Sequence, residues 1–404
     1  GDHAELLHFL PQAEPKGYGH ALFLAKAFTC GEAFLHLVGD HLSVSDSPQS
    51  CARQLVEVAR AQSCAVSAVQ ATRETKLSLY GAVGDADREP YRESLEEVHD
   101  DLAAPWRSLD ADSLLGFDAD GELRASGFVN TAPGDVRAVR AFVFGNVHPE
   151  RRGEGIGTQL QAWLIARARQ VLAASGKELP ARIATFAEDD APESKLRLHE
   201  QGGFEIRRWF ADLKRPIVDG EPVPEVELSG SLRLVPWSDE LDEPARLAHN
   251  DAFRDHWGSE PQTPEQWANG RSEFAPTWSY LVVDDAPDVD ALLADPSTDE
   301  ETAASLRAGE PLVVGYQLAS RYEGDFALRG YSFGYTDLLG VRRAYRGRRV
   351  AVVALAAGIR AFAADGMDAA VLDVDTASPT GADGLYARLG YVKVSGSHMA
   401  SIEL

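Results

Sequence analysis

Val147-His148-Pro149-Glu150-Arg151-Arg152-Gly153-Glu154-Gly155-Ile156-Gly157 joins a strand-like run to a helical one. An apolar, strand-like segment, Ala141-Phe142-Val143-Phe144, runs into it. After it, Leu160, Trp163, Leu164, Ala168, Val171 and Leu172 fall at helical spacing over Thr158 to Ala173. A strand that stops at a Gly-rich turn and opens straight into a helix suits an anion. The first helical turn carries unpaired N–H groups at a positive dipole end, and glycines let phosphate oxygens approach the backbone. The spacing fits neither a Walker loop nor a dinucleotide turn. An ordinary Gly-rich turn satisfies the same pattern, so the function rests on what surrounds it.

The chain has 404 residues, room for two or three domains with sizeable cores. Its 44% hydrophobic and 25% charged content is that of an ordinary globular protein. A formal net charge of −24 argues against nucleic acid or an anionic membrane as partner. No apolar run reaches the length of a membrane span, and no signal-peptide pattern opens the chain. The chain begins at Gly1 rather than Met, which points to a piece missing upstream. Cys30, Cys51 and Cys64, an odd count without metal-ligand spacing, favour reduced thiols and a cytoplasmic location.

Read as Arg152-x-x-Gly155-x-Gly157, the opening stretch resembles the pyrophosphate loop of the GCN5-related N-acetyltransferases, which hold acetyl-CoA. The resemblance implies that Val147, Arg152, Gly153, Gly155, Ile156 and Gly157 meet the cofactor. Strand patterns at Ser113 to Phe117 and Gly127 to Thr131 precede the loop, a charged helical pattern runs from Glu89 to Leu102, and a strand (Ala181–Ala187) and a helix (Glu193–Gln201) follow. The order β-β-β-loop-α-β-α over residues 85–216 is that of the acetyltransferase fold, without its usual first strand and helix. Where that family often closes on Leu-Tyr-x-x-x-Gly-Phe, this chain has Leu198-His199-Glu200-Gln201-Gly202-Gly203-Phe204. His199 is either an acid in place of the tyrosine or a surface histidine on a charged helix.

A Pro-rich acidic connector spans 217–231, and the same element order then repeats over 232–404. The duplication, with the run Leu247-Ala248-His249-Asn250-x-Ala252-Phe253-x-Asp255-His256-Trp257-Gly258, resembles the tandem acetyltransferases of actinobacteria, mycothiol synthase being the familiar kind. Asp284 to Glu310, rich in Asp, Ala and Pro, reads as an exposed insertion. In the second loop the resemblance assigns Val341, Arg346, Gly347 and Ala351 to the cofactor, while Arg349 stands in place of the middle glycine. Its side chain either crowds a pyrophosphate or pairs with it. The closing motif is intact as Leu385-Tyr386-x-x-x-Gly390-Tyr391. The resemblance makes Tyr386 the acid for the leaving thiolate and Asp337, four residues before Val341, a general base or an amine-binding carboxylate.

Residues 1–84 differ in character. Gln12-x-x-Pro15-x-Gly17-x-Gly19-His20-Ala21 and Leu37-Val38-Gly39-Asp40 resemble the middle of a UTP–glucose-1-phosphate uridylyltransferase. That family's Gly-rich opening loop and Pro-Lys signature have no counterpart, so a truncated α/β fragment without turnover is expected. In such a fragment His20 and Asp40 are expected to be loop residues without a task. The strand-like Ala65 to Ala71 is expected to cover a bare sheet edge of the first acetyltransferase half.

The expected architecture is therefore α/β (α+β), two acetyltransferase folds in tandem behind a partial nucleotidyltransferase-like segment. The expected activity is acetyl transfer from acetyl-CoA to a primary amine of a small molecule. No metal, nucleic acid or membrane partner is expected, and the oligomeric state is open. A non-catalytic CoA-binding scaffold or sensor is the alternative, and nucleotidyl transfer a more distant one. The first half carries the better anchor loop, where CoA is expected to bind, and the second half the better acid–base pair.

Overall fold

The computed structural model describes residues 73–218, 223–377 and 382–404. Expectations placed on earlier residues, including His20, Asp40 and the strand at 65–71, lie outside the described residues.

Helix α1 (Arg73–Asp87) packs on two strands of the first half and runs across the boundary expected at residue 84. Its sequence hides it: among the residues whose burial is described, Leu79 and Val83 are the buried large apolar side chains, in a segment broken by Gly81 and Gly84. Helix α2 (Leu95–Ala103) starts later than the charged pattern from Glu89 suggested. Pro90 keeps Glu89 from helical backbone, and a capping box at Ser94 and Glu97 sets the start. Then come β1 (Ser113–Phe117), β2 (Leu123–Thr131), β3 (Val139–Val147), α3 (Ile156–Ala174), β4 (Ala181–Glu188), α4 (Glu193–Gln201) and β5 (Glu205–Pro216). The second half follows as β6 (Leu232–Pro236), α5 (Asp242–Ala252), β7 (Tyr280–Asp284), β8 (Leu312–Ser320), β9 (Phe333–Val341), α6 (Val350–Ala364), β10 (Ala369–Asp375), α7 (Ala382–Arg388) and β11 (Val392–Glu403).

The described strands form one eleven-stranded sheet in the order β1-β2-β3-β4-β11-β5-β10-β9-β8-β7-β6. The halves exchange their last strands. β11 of the second half lies between β4 and β5, and β5 of the first half lies between β11 and β10. Only β3–β4 and β9–β10 pair in parallel.

Packing follows the apolar periodicity. Leu160, Leu164, Ala168 and Leu172 form the buried stripe of α3 over β2 and β3. Gly127 and Gly145 sit opposite each other beneath it, where a Cβ would come within 2.8 Å of Leu160 and 3.0 Å of Leu164. Truncating Leu164 to Ala costs about 2–5 kcal/mol in such a core. Helix α6 is apolar on nearly every side because both sides are covered, and β8 beneath it is buried along its whole length. The insertion expected over Asp284 to Glu310 is largely exposed and carries two short helices, Val289–Ala294 and Glu300–Ala308. Asp288 and Asp299 cap them, and Ala303 and Leu306 are buried; alternation of Asp and Ala concealed the apolar face.

The parallel pairs position the site. β3 and β4 pair only from Val139–Ala181 to Phe142–Ala184, and β9 and β10 only from Phe333–Ala369 to Thr336–Leu372. Beyond those points each pair diverges, leaving a V in each half.

Candidate active site

The V of the second half opens into a cleft of about 1170 Å³. At its root the register of β8 and β9 shifts: Leu318 faces Leu338 and Ala319 faces Thr336, so Asp337 is the extra residue of a β-bulge. A bulge re-aims a side chain and interrupts the ladder. Here it turns Asp337 into the cleft, where the Tyr322 hydroxyl donates to its Oδ1 at 2.9 Å. The carboxyl lies deep in the fold yet open to cleft water. Burial raises its pKa to about 6, against the hydrogen bonds from Ser320 and Tyr322, which lower it.

From Val341 the chain makes one 3₁₀ turn, Arg343–Tyr345, and enters α6 through Gly347 at φ +78° and Arg349 at φ +65°. The first loop reaches α3 in the same way, through Gly153 at φ +81° and Gly155 at φ +82°. Arg349 thus holds the left-handed backbone of the missing glycine, at a cost of about 1–2 kcal/mol. Its exposed side chain lines the cleft and makes no ion pair with a described residue. Arg346 is tied down by both oxygens of Asp255, at 2.8 and 3.0 Å, and by the carbonyl of Ala252 at 2.8 Å. Tyr386 borders the same cleft, with its ring edge-on to Tyr391 at 6.0 Å. One cleft therefore unites Asp337, Val341, Arg346, Gly347, Arg349, Ala351 and Tyr386.

The first half is built differently. The β2–β3 register is unbroken, and buried Val143 occupies the position of Asp337. Arg152 is gripped by the Asp87 carboxylate, at 2.5 and 3.1 Å, and donates to the Val147 carbonyl. Gly153 and Gly155 face open space. His199 borders a smaller cavity of about 380 Å³. Burial, then Lys195 and His398, lower its pKa to about 4, so it is neutral at neutral pH. Val147, Arg152, Gly153, Gly155, Ile156 and Gly157 border neither cavity.

Three features escaped the sequence reading. Tyr322, just past the end of β8, has no periodic signal. The segment Pro90 to Ser94 crosses from the first half to the second: the Arg92 N–H donates to Asp325 at 2.6 Å, Arg329 to the Pro90 carbonyl at 3.0 Å, and Ser94 to Glu273 at 2.9 Å. The run around Asp255 was visible, but its task was not. Asp255 clamps the loop arginine, and Trp257 lies between the guanidiniums of Arg182 and Arg208, at 4.2 and 4.5 Å. Among the described residues no three His, Cys, Asp or Glu side chains are grouped to hold a metal ion, and no helix is long and apolar enough to cross a membrane.

The fold is that of two GCN5-related N-acetyltransferase units in tandem. A GCN5-related N-acetyltransferase from Sphaerobacter thermophilus superposes with a TM-score of 0.58 at 24% identity, over 83% of this chain and 94% of its own. A tandem acetyltransferase of this type from the clavulanic acid biosynthesis pathway superposes with a TM-score of 0.55 at 16% identity, over 82% and 94%. In sequence, a mycothiol acetyltransferase of Frankia casuarinae is 31% identical over 142 residues, 34% of this chain and 39% of that protein. A UTP–glucose-1-phosphate uridylyltransferase of Bacillus subtilis is 32% identical over 99 residues, 24% of this chain and 32% of that enzyme. The chain thus spans well under half the length of either relative. No family model matches it.

Proposed function

We propose that the second half transfers an acetyl group from acetyl-CoA to a primary amine of a small molecule. The observation that carries this reading is the bulged Asp337 in one cleft with Tyr386 and the Val341-to-Ala351 loop. The first turn of α6 and the unpaired Arg349 offer N–H groups and positive charge to a pyrophosphate, which fixes the thioester in place. Asp337 takes the proton of the attacking ammonium, so that the nitrogen lone pair is free for the carbonyl carbon. As the C–N bond forms, the carbonyl oxygen gathers negative charge, which a backbone N–H at the interrupted ladder would stabilise. When the C–S bond breaks, Tyr386 gives its proton to the thiolate.

The first half lacks a base at the corresponding position, and its neutral His199 suits no acid role. Its open glycines support CoA binding without transfer, a scaffold role inside an enzyme. The test is acetyl-dependent thiol release with a panel of amines. Asp337→Asn is expected to lower turnover by about a hundred- to ten-thousandfold while CoA affinity holds. Turnover within about threefold of wild type would move the chemistry out of this cleft.

A further inference from the structure

The acceptor side of the cleft carries an arrangement that the transfer chemistry does not use. Asp212 on β5 and Asp373 on β10 stand directly opposite each other across an antiparallel pair, and both line the cleft. Like charges at opposed positions destabilise a sheet. Neither carboxylate has an ion-pair partner among the described residues; Asp212 accepts only from the Ser395 hydroxyl, at 2.5 Å. Of the arginines lining the cleft, Arg92 is bound to Asp85, Arg346 to Asp255, and Arg329 lies over the ring of Phe333, while Arg349 and Arg388 form no ion pair with either aspartate. Burial, followed by the charge of Asp212, raises the pKa of Asp373 to about 7, and the same two causes raise that of Glu188 to about 7.

A second, independent observation lies beside the pair. Tyr335 precedes Asp337 by two residues on the same face of β9, and its hydroxyl makes no hydrogen bond with a described residue. Burial and the fields of Asp373, Asp337 and Asp212 keep that hydroxyl protonated. Its ring stands edge-on to Tyr322 at 5.6 Å, so two aromatic rings and two carboxylates without an ion pair to a described residue border one space. Aromatic faces and carboxylates together recognise ammonium groups. Asp337 and Asp373 each follow the last paired residues of β9 and β10, Thr336 and Leu372, so they flank the cleft where these neighbouring strands begin to splay.

Resting on the transfer reading above, we propose that Asp212 and Asp373, with the rings of Tyr322 and Tyr335, form a subsite for a second ammonium group, making the acceptor a diamine or polyamine. One amine loses its proton to Asp337 and is acetylated, while the other stays charged against Asp212 and Asp373. Asp212 arrives on the exchanged strand, so the first half supplies the specificity of the second half's reaction.

The test compares 1,4-diaminobutane with butylamine on the full chain. Calorimetric binding is measured in the presence of CoA, and initial rates in the presence of acetyl-CoA. The diamine is expected to bind about ten- to a hundredfold more tightly. Asp212→Asn and Asp373→Asn, each isosteric and each relieving a like-charge contact, are expected to erase that preference and leave butylamine unaffected. Equal affinity for the two amines, a preference that survives both substitutions, or a Mg²⁺ ion bound by the pair without amine preference would overturn the subsite. Preferential diamine binding without acetylation of either amine would uphold the subsite and sink the transfer reading. Equal acetylation of both amines would do the reverse.

Discussion

Removing the hydroxyl that steadies Asp337 makes a quantitative test of its role. Tyr322 donates to the carboxylate at 2.9 Å, favouring the charged, proton-accepting form. A hydrogen bond to a charged group contributes about 1.5–3 kcal/mol, and about 1.4 kcal/mol corresponds to one pH unit. Tyr322→Phe would therefore raise the pKa of Asp337 by about one to two units if nothing replaced the hydroxyl. Because this carboxyl is open to cleft water, part of the loss is recovered, and a rise of about one unit is expected. The sign follows from the base role: transfer needs the ionised carboxylate, so activity falls as pH drops through the pKa. The acidic limb of kcat/KM, expected near the wild-type value of about 6, should move up toward about 7. Thiol release is followed from about pH 5 to 9, and the ratio of variant to wild-type rates cancels the titration of the amine itself. An acidic limb that stays in place, in a variant whose rate at high pH is unchanged, would refute Asp337 as the group whose ionisation limits transfer.

The other predictions concern the acid and the loops. Tyr386→Phe is expected to lower kcat by about a hundredfold with CoA affinity preserved, since the group acts only when the thiolate leaves; calorimetry and steady-state rates separate the two. Gly155→Asp forces a side chain onto a backbone at φ +82° and adds negative charge at a helix N-terminus. It is expected to remove the CoA binding event assigned to the first half, seen as one step lost from the titration, with turnover intact. Arg349→Asp should weaken CoA in the catalytic cleft by at least about tenfold, read in KM for acetyl-CoA.

Much of this architecture could be read from residues. The loop at Val147 to Gly157 named its own geometry, because a turn that needs positive φ twice selects glycine twice. The second copy of that turn was legible through Arg346 and Gly347, although Arg349 replaced the glycine and kept its backbone. The bulge left a trace that went unused: Thr336-Asp337-Leu338-Leu339 breaks strict alternation where the ladder slips. The strand exchange left none. β5 and β11 carry ordinary strand patterns, and a period of two says which face is buried but not which neighbour is paired. The Asp212–Asp373 opposition depends on that pairing, so the proposed second-ammonium subsite was invisible for the same reason. Tyr322 and the Pro90–Ser94 crossing depend on loop paths, which no periodicity encodes.

The exchanged strands also bear on how the chain is made. Arg182 and Glu403 are paired although 221 residues separate them in the sequence. During synthesis β4 and β5 leave the ribosome early, yet the strand between them is the last of the described strands to appear. Until then, the facing edges of β4 and β5 remain unsatisfied templates for any other extended chain. The first half can collapse around α3 but cannot close, and β11 acts as the latch for both halves. A nascent chain stalled or clipped shortly before Val392 is therefore expected to fail as a whole, rather than to leave one working half.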